Sequence, residues 1–135
     1  MASYASLPQK PDKVQAIAIM ILVNGILNIM YGIIFTLVVI FGSFFLGVVC
    51  APLTILPTVL GIFEVIYATK LIPTYPTQPV KPTQTIPILE IVAILSGNFV
   101  SLIVGILNLV FFNDPEVEAY FAALNAQTSP PQTIE

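Results

Sequence analysis

Residues 14–41 of the chain read VQAIAIMILVNGILNIMYGIIFTLVVIF. This stretch carries no formal charge and no proline, and Ile, Leu, Val and Met dominate it. A transmembrane helix needs about 20 mainly apolar residues, and a longer one spans the bilayer with some tilt. The stretch therefore predicts a continuous membrane-spanning helix over 14–41.

Two more apolar stretches predict two more spans, at 53–72 and 88–112. Each contains one acidic residue, Glu64 in the former and Glu90 in the latter. The segment 42–52 brings the first glycines and proline after the first span, so we expect the chain to turn there.

The other segments are read from their proline content and their periodicity. Residues 73–87, PTYPTQPVKPTQTIP, predict an extended loop in solvent. In residues 113–126, one apolar stripe at helical spacing predicts an amphipathic helix that lies along the interface and docks on its own bundle or on a partner; the stripe consists of Val117, Tyr120, Phe121 and Leu124. Residues 1–13 and 127–135 are expected to be tails.

These segments predict an all-α integral membrane bundle over 14–112, with three transmembrane helices and a C-terminal interfacial helix. A four-span alternative would need a turn near Phe35 and Thr36, where Gly32 is the only nearby turn-forming residue. In the three-span arrangement all four cationic side chains fall on one side, which the positive-inside rule makes cytoplasmic together with the N-terminus: Lys10, Lys13, Lys70 and Lys81. Three acidic residues then fall on the far side: Asp114, Glu116 and Glu118.

The composition excludes several classes of protein. Of 135 residues, 57% are hydrophobic and 8% are charged, which excludes a soluble globular domain. Four lysines without arginine leave no basic surface for nucleic acid. The chain has no histidine and a single cysteine, Cys50, so it offers neither a Cys/His metal cluster nor a common nucleophilic dyad. We therefore expect no enzyme activity, no cofactor and no metal.

A heptapeptide recurs once in each predicted span. It reads GILNIMY at 25–31, GIFEVIY at 61–67 and GILNLVF at 105–111. Each copy has a glycine, two bulky apolar residues, an Asn or Glu, two aliphatic residues and an aromatic one. Duplication of a helix explains the repeat, and so does chance similarity among Ile-rich helices.

Spans one and three also carry polar or small residues every four positions, which predicts two helix-packing ridges: Asn24, Asn28 and Gly32 in the first, and Gly97, Ser101 and Gly105 in the third. Asn28 and Ser101 lie at the same depth if the two helices are parallel, so the ridges are expected to face each other. The alternative is a polar file for a solute or ions, which would add Asn98, Asn108 and Thr36.

The two intramembrane acids are candidate functional residues, because a charge within the bilayer is costly. Glu90 lies near the predicted cytoplasmic interface, so an ion pair with Lys70 is expected. Glu64 lies deeper, with Tyr67 or an Asn of a neighbouring span as its partner. It serves either as a structural hydrogen-bonding group or as a proton carrier.

The first span around NGILNIMYG, the second ending GIFEVIYATKLIP, the proline-rich loop and the third ending GILNLVFFNDPEVEAYF resemble small multi-pass bacterial membrane proteins that have no assigned activity. The resemblance implies a bacterial plasma-membrane location and transfers no site residues. The sequence thus predicts a structural or accessory subunit, whose partners are the lipid bilayer and other membrane proteins or its own copies. The alternative is a protomer of an oligomeric small channel or transporter, with Glu64 and intramembrane Asn residues lining the path.

Overall fold

The computed structural model of the chain describes residues 8–73 and 80–128. Within these ranges all regular secondary structure is helical, which confirms the all-α prediction. The elements in chain order are α1 (Asp12–Gly42), a 3₁₀ turn (Leu46–Cys50), α2 (Ala51–Thr54), α3 (Leu56–Leu71), α4 (Thr85–Val92), a second 3₁₀ turn (Ala93–Ser96), α5 (Phe99–Phe112) and α6 (Pro115–Thr128). The structure does not describe residues 74–79 of the proline-rich loop or residues 1–7 and 129–135 of the tails.

Two helical segments are long and apolar enough to cross a membrane, Asp12–Gly42 and Leu46–Leu71. They agree with the first two predicted spans. The chain reverses between them through Phe44 and Phe45, which both adopt left-handed backbone conformations with φ of 51° and 69°. α5 and α6 meet at a bend of 69°, and a third span exists only if the two helices together count as one. The exact three-span bundle is therefore not confirmed.

Small residues bring α1 and α3 into close contact. A Cβ atom on Gly61 would lie 2.5 Å from the carbonyl oxygen of Gly25, and one on Gly32 would lie 2.6 Å from the backbone nitrogen of Thr58. Both distances are too short for any larger residue. Because lipid gives no hydrophobic drive between helices, such backbone approach is a main source of their association.

The predicted third span is not one helix. The chain breaks at Gly97, whose φ of 78° is left-handed, and Asn98 begins α5 by accepting a hydrogen bond from the backbone N–H of Ser101. A glycine that ends one helix followed by an Asn that caps the next is a turn signal, because each residue suits the conformation that its place requires. Gly97 therefore belongs to a turn and not to a packing ridge.

α4 and α5 form an antiparallel hairpin that begins and ends at one end of the molecule. Near its open end the Gln84 side chain donates to Oδ1 of Asn113 at 3.0 Å. α4 with its 3₁₀ turn contains 8 and 4 residues, and α5 contains 14, so each arm is about 20 Å long. The hydrocarbon core is about 30 Å thick. Each arm is therefore shorter than the hydrocarbon core is thick.

The charged residues of the described chain outside the middle of the bundle lie at the end where α1 begins. Nζ of Lys13 lies 2.7 Å from Oδ2 of Asp114 and 3.3 Å from Oε2 of Glu116. Lys10 donates to the carbonyl oxygens of Leu71 and Ile72 at the end of α3. The prediction that the acidic residues lie on the far side from the lysines is wrong, because the hairpin turns the chain back. α1 and α5 are accordingly antiparallel and not parallel.

α6 lies across this lysine-bearing end. Its predicted apolar stripe is buried, with 0 to 5% of each side chain exposed: Val117, Tyr120, Phe121 and Leu124. They share a core with the first turns of α1 and the end of α3, including Val14, Ile17 and Ala68. The rings of Phe112 and Phe121 stack at 6.1 Å. The helix therefore docks on its own bundle, one of the two predicted arrangements.

Candidate functional site

The middle of the bundle holds seven buried polar side chains in mutual contact, called here the polar cluster. Five of them have 0% of their surface exposed, and the other two at most 8%. They come from four helices and the hairpin turn: Asn24, Asn28, Glu64, Glu90, Asn98, Ser101 and Asn108. The sequence analysis instead predicts Glu90 near the interface, Glu64 deeper in the bilayer, and Asn28 at the same depth as Ser101.

The heptapeptide repeat positions the cluster. In each copy a glycine precedes the polar residue by three positions, so both lie on one face of the helix. The glycine lets a neighbouring backbone approach, and the polar side chain then points into the same contact. The three pairs are Gly25 with Asn28, Gly61 with Glu64, and Gly105 with Asn108. α4 has the same spacing with proline instead of glycine, in Pro87 and Glu90.

The two glutamates lie at the centre of the cluster. The amide nitrogen of Asn24 donates to Oε1 of Glu64 at 3.0 Å and to Oε1 of Glu90 at 3.3 Å. Asn28 donates to Oε2 of Glu64 at 2.8 Å, and Asn108 donates to Oε2 of Glu90 at 3.0 Å. Each of the four carboxyl oxygens thus accepts an amide N–H. The Asn24 amide nitrogen therefore bridges the two carboxyl groups.

A second layer of hydrogen bonds ties α1 to the hairpin. The hydroxyl of Ser101 lies 2.8 Å from Oδ1 of Asn28 and 3.2 Å from Oδ1 of Asn24. The Asn98 amide nitrogen also donates to Oδ1 of Asn28. Tyr31 fixes the closed end of the hairpin, because its hydroxyl donates to the carbonyl oxygen of Ser96 at 2.7 Å. The predicted contact between the ridges is therefore present through Asn24, Asn28 and Ser101, with the helices antiparallel.

The glycines assigned to the ridges make other contacts. A Cβ on Gly32 would meet Thr58 of α3, and one on Gly105 would meet the carbonyl oxygen of Pro87 at 2.7 Å. Gly97 lies in the hairpin turn, 3.6 Å from the Tyr31 hydroxyl if a Cβ is added. These glycines bring α1 to α3 and α4 to α5, whereas the ridge prediction joined α1 to the third span.

Comparison of the chain with protein-family models, curated proteins and solved structures found no match. The chemistry of the polar cluster is therefore inferred from its own contacts.

The predicted ion pair between Lys70 and Glu90 is not formed. Glu90 is fully buried and bonds to Asn24 and Asn108, whereas Lys70 is exposed. The start of α4 at Thr85 explains the difference, because it places Glu90 in the second turn of the helix, where Asn24 bonds both Glu90 and Glu64. Tyr67, one of the expected partners of Glu64, donates instead to the carbonyl oxygen of Lys81 at 3.0 Å.

The cluster can do two things chemically. Its amide donors compensate negative charge on carboxylates in a region without water, where an uncompensated acid costs a few kcal/mol. Its bonds also cross between α1, α3 and both arms of the hairpin, so the cluster fixes how these helices sit together. One polar atom of the cluster is left unsatisfied: Oδ1 of Asn108 is buried and has no hydrogen-bond partner among the described residues.

The surface around the cluster is apolar. Large hydrophobic side chains of α1, α3, α4 and α5 are 41 to 68% exposed along these helices, as expected for contact with lipid. An apolar groove of about 250 Å³ lies between α3 and the half of the hairpin that is farther from the lysines. At the end opposite the lysines, the turn after α1 carries no charge and exposes Phe44, Leu46 and Val49 at 88, 80 and 87%.

Proposed function

We propose that this chain is a structural or accessory subunit of the membrane, without enzymatic activity, which binds other membrane proteins or its own copies through its apolar surface. The observation that supports this role is the uncharged tip at residues 42–50, where bulky apolar side chains are among the most exposed in the described chain.

The length of α1 places this tip beyond the hydrocarbon. Its 31 residues extend about 46 Å, against about 30 Å of hydrocarbon and about 40 to 45 Å of whole bilayer. With Lys13 at one interface, the tip reaches the opposite headgroup region. Exposed apolar patches in such a polar region are typical of protein interaction sites. A protein partner that covers the tip removes this surface from water.

The proposed orientation follows the lysines. Lys10, Lys13, Lys70 and Lys81 lie together at one end, and acidic residues count little in the positive-inside rule. We therefore assign this end, with α6, to the cytoplasm. The tip then faces the other side of the membrane, where its partner is bound.

Blue-native electrophoresis after mild detergent extraction tests the role. The wild type is expected to migrate as a complex larger than the monomer, and a Phe44→Ser/Val49→Ser variant is expected to shift to the monomer. Phe99→Ser is the matched control, because Phe99 is 68% exposed on the hairpin, away from the tip. A wild type that migrates as a monomer contradicts the proposal, and so does an equal shift in the control.

A second candidate function, a protomer of an oligomeric small channel or transporter, is favoured by two acids meeting inside the bilayer. Intramembrane acids commonly mark ion or proton pathways. The cluster is closed to solvent, so conduction would require the hairpin to move. A liposome flux assay with wild type and Glu64→Gln distinguishes the two functions: flux lost only in the variant supports the channel, and no flux from either favours the accessory subunit.

A further inference from the structure

The two glutamates of the polar cluster face no positive charge. α1 presents the neutral side chains of Asn24 and Asn28 to them, and α5 presents Asn108. The other titratable groups of the packed helices are engaged or directed elsewhere: Tyr31 with Ser96, Tyr67 with Lys81, Lys13 with Asp114 and Glu116, and Asp12 and Lys70 exposed. α4 and α5 contain no other titratable residue. Two full negative charges would therefore be held here by amide dipoles alone.

Two carboxylates in contact do not both ionise in apolar surroundings, and one proton relieves the repulsion. The donors around the pair favour a proton over a metal ion. Every carboxyl oxygen already accepts an amide N–H, from Asn24, Asn28 or Asn108. A metal ion at these oxygens would meet the positive ends of those amides, whereas a proton can be shared between the two carboxyl groups, which the Asn24 amide nitrogen bonds at the same time.

Asn108 provides a separate indication of a ligand. Its side chain is 0% exposed and donates to Oε2 of Glu90, while its Oδ1 has no donor. An unpaired buried acceptor costs about 1 to 3 kcal/mol. If Glu90 carries a proton on Oε2, rotation of the Asn108 amide by half a turn directs Oδ1 at that O–H. The same side chain therefore accepts from the protonated acid and donates to the ionised one.

We propose that Glu64 and Glu90 form an intramembrane proton-binding site, which holds one proton between its carboxyl groups and takes up a second on Glu90 with Asn108 as the acceptor. The first proton leaves the pair with one negative charge, and the second makes it neutral. Each proton comes from water and no covalent bond other than O–H forms or breaks. This site is independent of the accessory role, since it needs neither a partner nor net transport.

Infrared spectroscopy of the full chain in liposomes tests the site through the carbonyl band of protonated carboxyl groups. The spectrum of Glu64→Gln/Glu90→Gln, subtracted from that of the wild type at each pH, isolates the pair. We expect the band of one protonated carboxyl at neutral pH and about a twofold larger band on acidification. In each single Gln variant the remaining acid keeps its two Asn donors, gains the Gln amide beside it and has no charged neighbour, so the neutral-pH band is expected to be lost.

Three further measurements distinguish the alternatives. Ser101→Ala is the control, because Ser101 bonds to Asn24 and Asn28 and not to a carboxyl group; its band is expected to match the wild type. Asn108→Leu is expected to keep the neutral-pH band and to move the gain to higher pH, because it removes the N–H donor that stabilises ionised Glu90. Replacing choline chloride by sodium chloride is expected to leave the carbonyl band unchanged at each pH. Any one of four results overturns the proposal. The first two are no neutral-pH band in the wild type and a band retained in both single variants. The other two are a gain that does not move in Asn108→Leu and a band that sodium removes.

Discussion

Lys13 and Asp114 are separated by 101 positions in the chain, yet Nζ and Oδ2 of the two side chains lie 2.7 Å apart. The contact joins the first turn of α1 to the residue after α5. It is possible only because α4 and α5 return to the end from which α1 starts. The ion pair therefore reports the topology of the whole molecule.

The pH dependence of this ion pair can be predicted. The side-chain hydrogen bond from Lys13 lowers the pKa of Asp114 below its ordinary value of 3.8. A carboxyl group whose pKa is lowered on folding adds stability above the unfolded pKa and loses it as the pH falls through the folded one. We expect Asp114→Asn to be less stable to heat than the wild type by a small, constant amount between about pH 5 and 8, and this difference to decline as the pH falls through 3.8 and to vanish only below the lowered pKa of the folded state. A difference that grows on acidification contradicts the pair.

Gly61 is expected to be the position of α3 that tolerates substitution least. A Cβ there would lie 2.5 Å from the Gly25 carbonyl oxygen, which is backbone and cannot move aside. Gly61→Ala is expected to cost about 1 to 3 kcal/mol, as overpacking does in cores. Gly42→Ala is the control, because nothing lies within 4 Å of that Cβ. Thermal unfolding in detergent measures both, and equal midpoints would refute the close α1–α3 contact.

Gly97 is required by its backbone conformation and not by space. Its φ of 78° penalises an L-residue, although only the Tyr31 hydroxyl, at 3.6 Å, lies near an added Cβ. Gly97→Ala is expected to destabilise by about 1 to 2 kcal/mol. Asn adopts the left-handed conformation more readily, so Gly97→Asn is expected to cost less. If Ala and Asn are equally well tolerated in a thermal unfolding experiment, the turn does not exist as described.

Phe121 tests the docking of α6. Its side chain is 2% exposed and stacks on Phe112. Phe121→Ala is expected to cost about 3 to 5 kcal/mol, as for other buried Phe truncations. Phe99→Ala is the matched control, since Phe99 is exposed to lipid and leaves no internal cavity. A chain that loses no more stability from Phe121→Ala than from Phe99→Ala would have α6 detached.

Some of this structure could be predicted from the sequence. Apolar length alone predicts the first two spans, and helical spacing predicts the buried stripe of α6. The hairpin was missed because Gly97 was assigned to a helical ridge with Ser101 and Gly105, although Gly97 followed by Asn98 is also a turn signal. Hydropathy cannot distinguish one transmembrane helix of 25 apolar residues from a hairpin of two short helices, because both have the same apolar composition.

The site was predicted in part. The heptapeptide repeat identified Asn28, Glu64 and Asn108, but their meeting point depends on which helices are antiparallel. The sequence predicts Glu90 at the interface because it lies only three residues past Pro87. In the structure α4 begins at Thr85, so Glu90 lies in the second turn of that helix, where Asn24 bonds both Glu90 and Glu64. Long-range geometry of this kind is not contained in local spacing.

The central claim is that α4 and α5 return to the end where α1 begins, and labelling with a membrane-impermeant maleimide tests it most directly. Native Cys50 is exposed at the tip and reports one side. In a Cys50→Ser background, Gln84→Cys and Asn113→Cys report the two ends of the hairpin, whose side chains meet at 3.0 Å. The structure predicts that positions 84 and 113 are labelled from the same side and Cys50 from the opposite one. Labelling of position 113 from the side of Cys50 would contradict the hairpin and restore three spans.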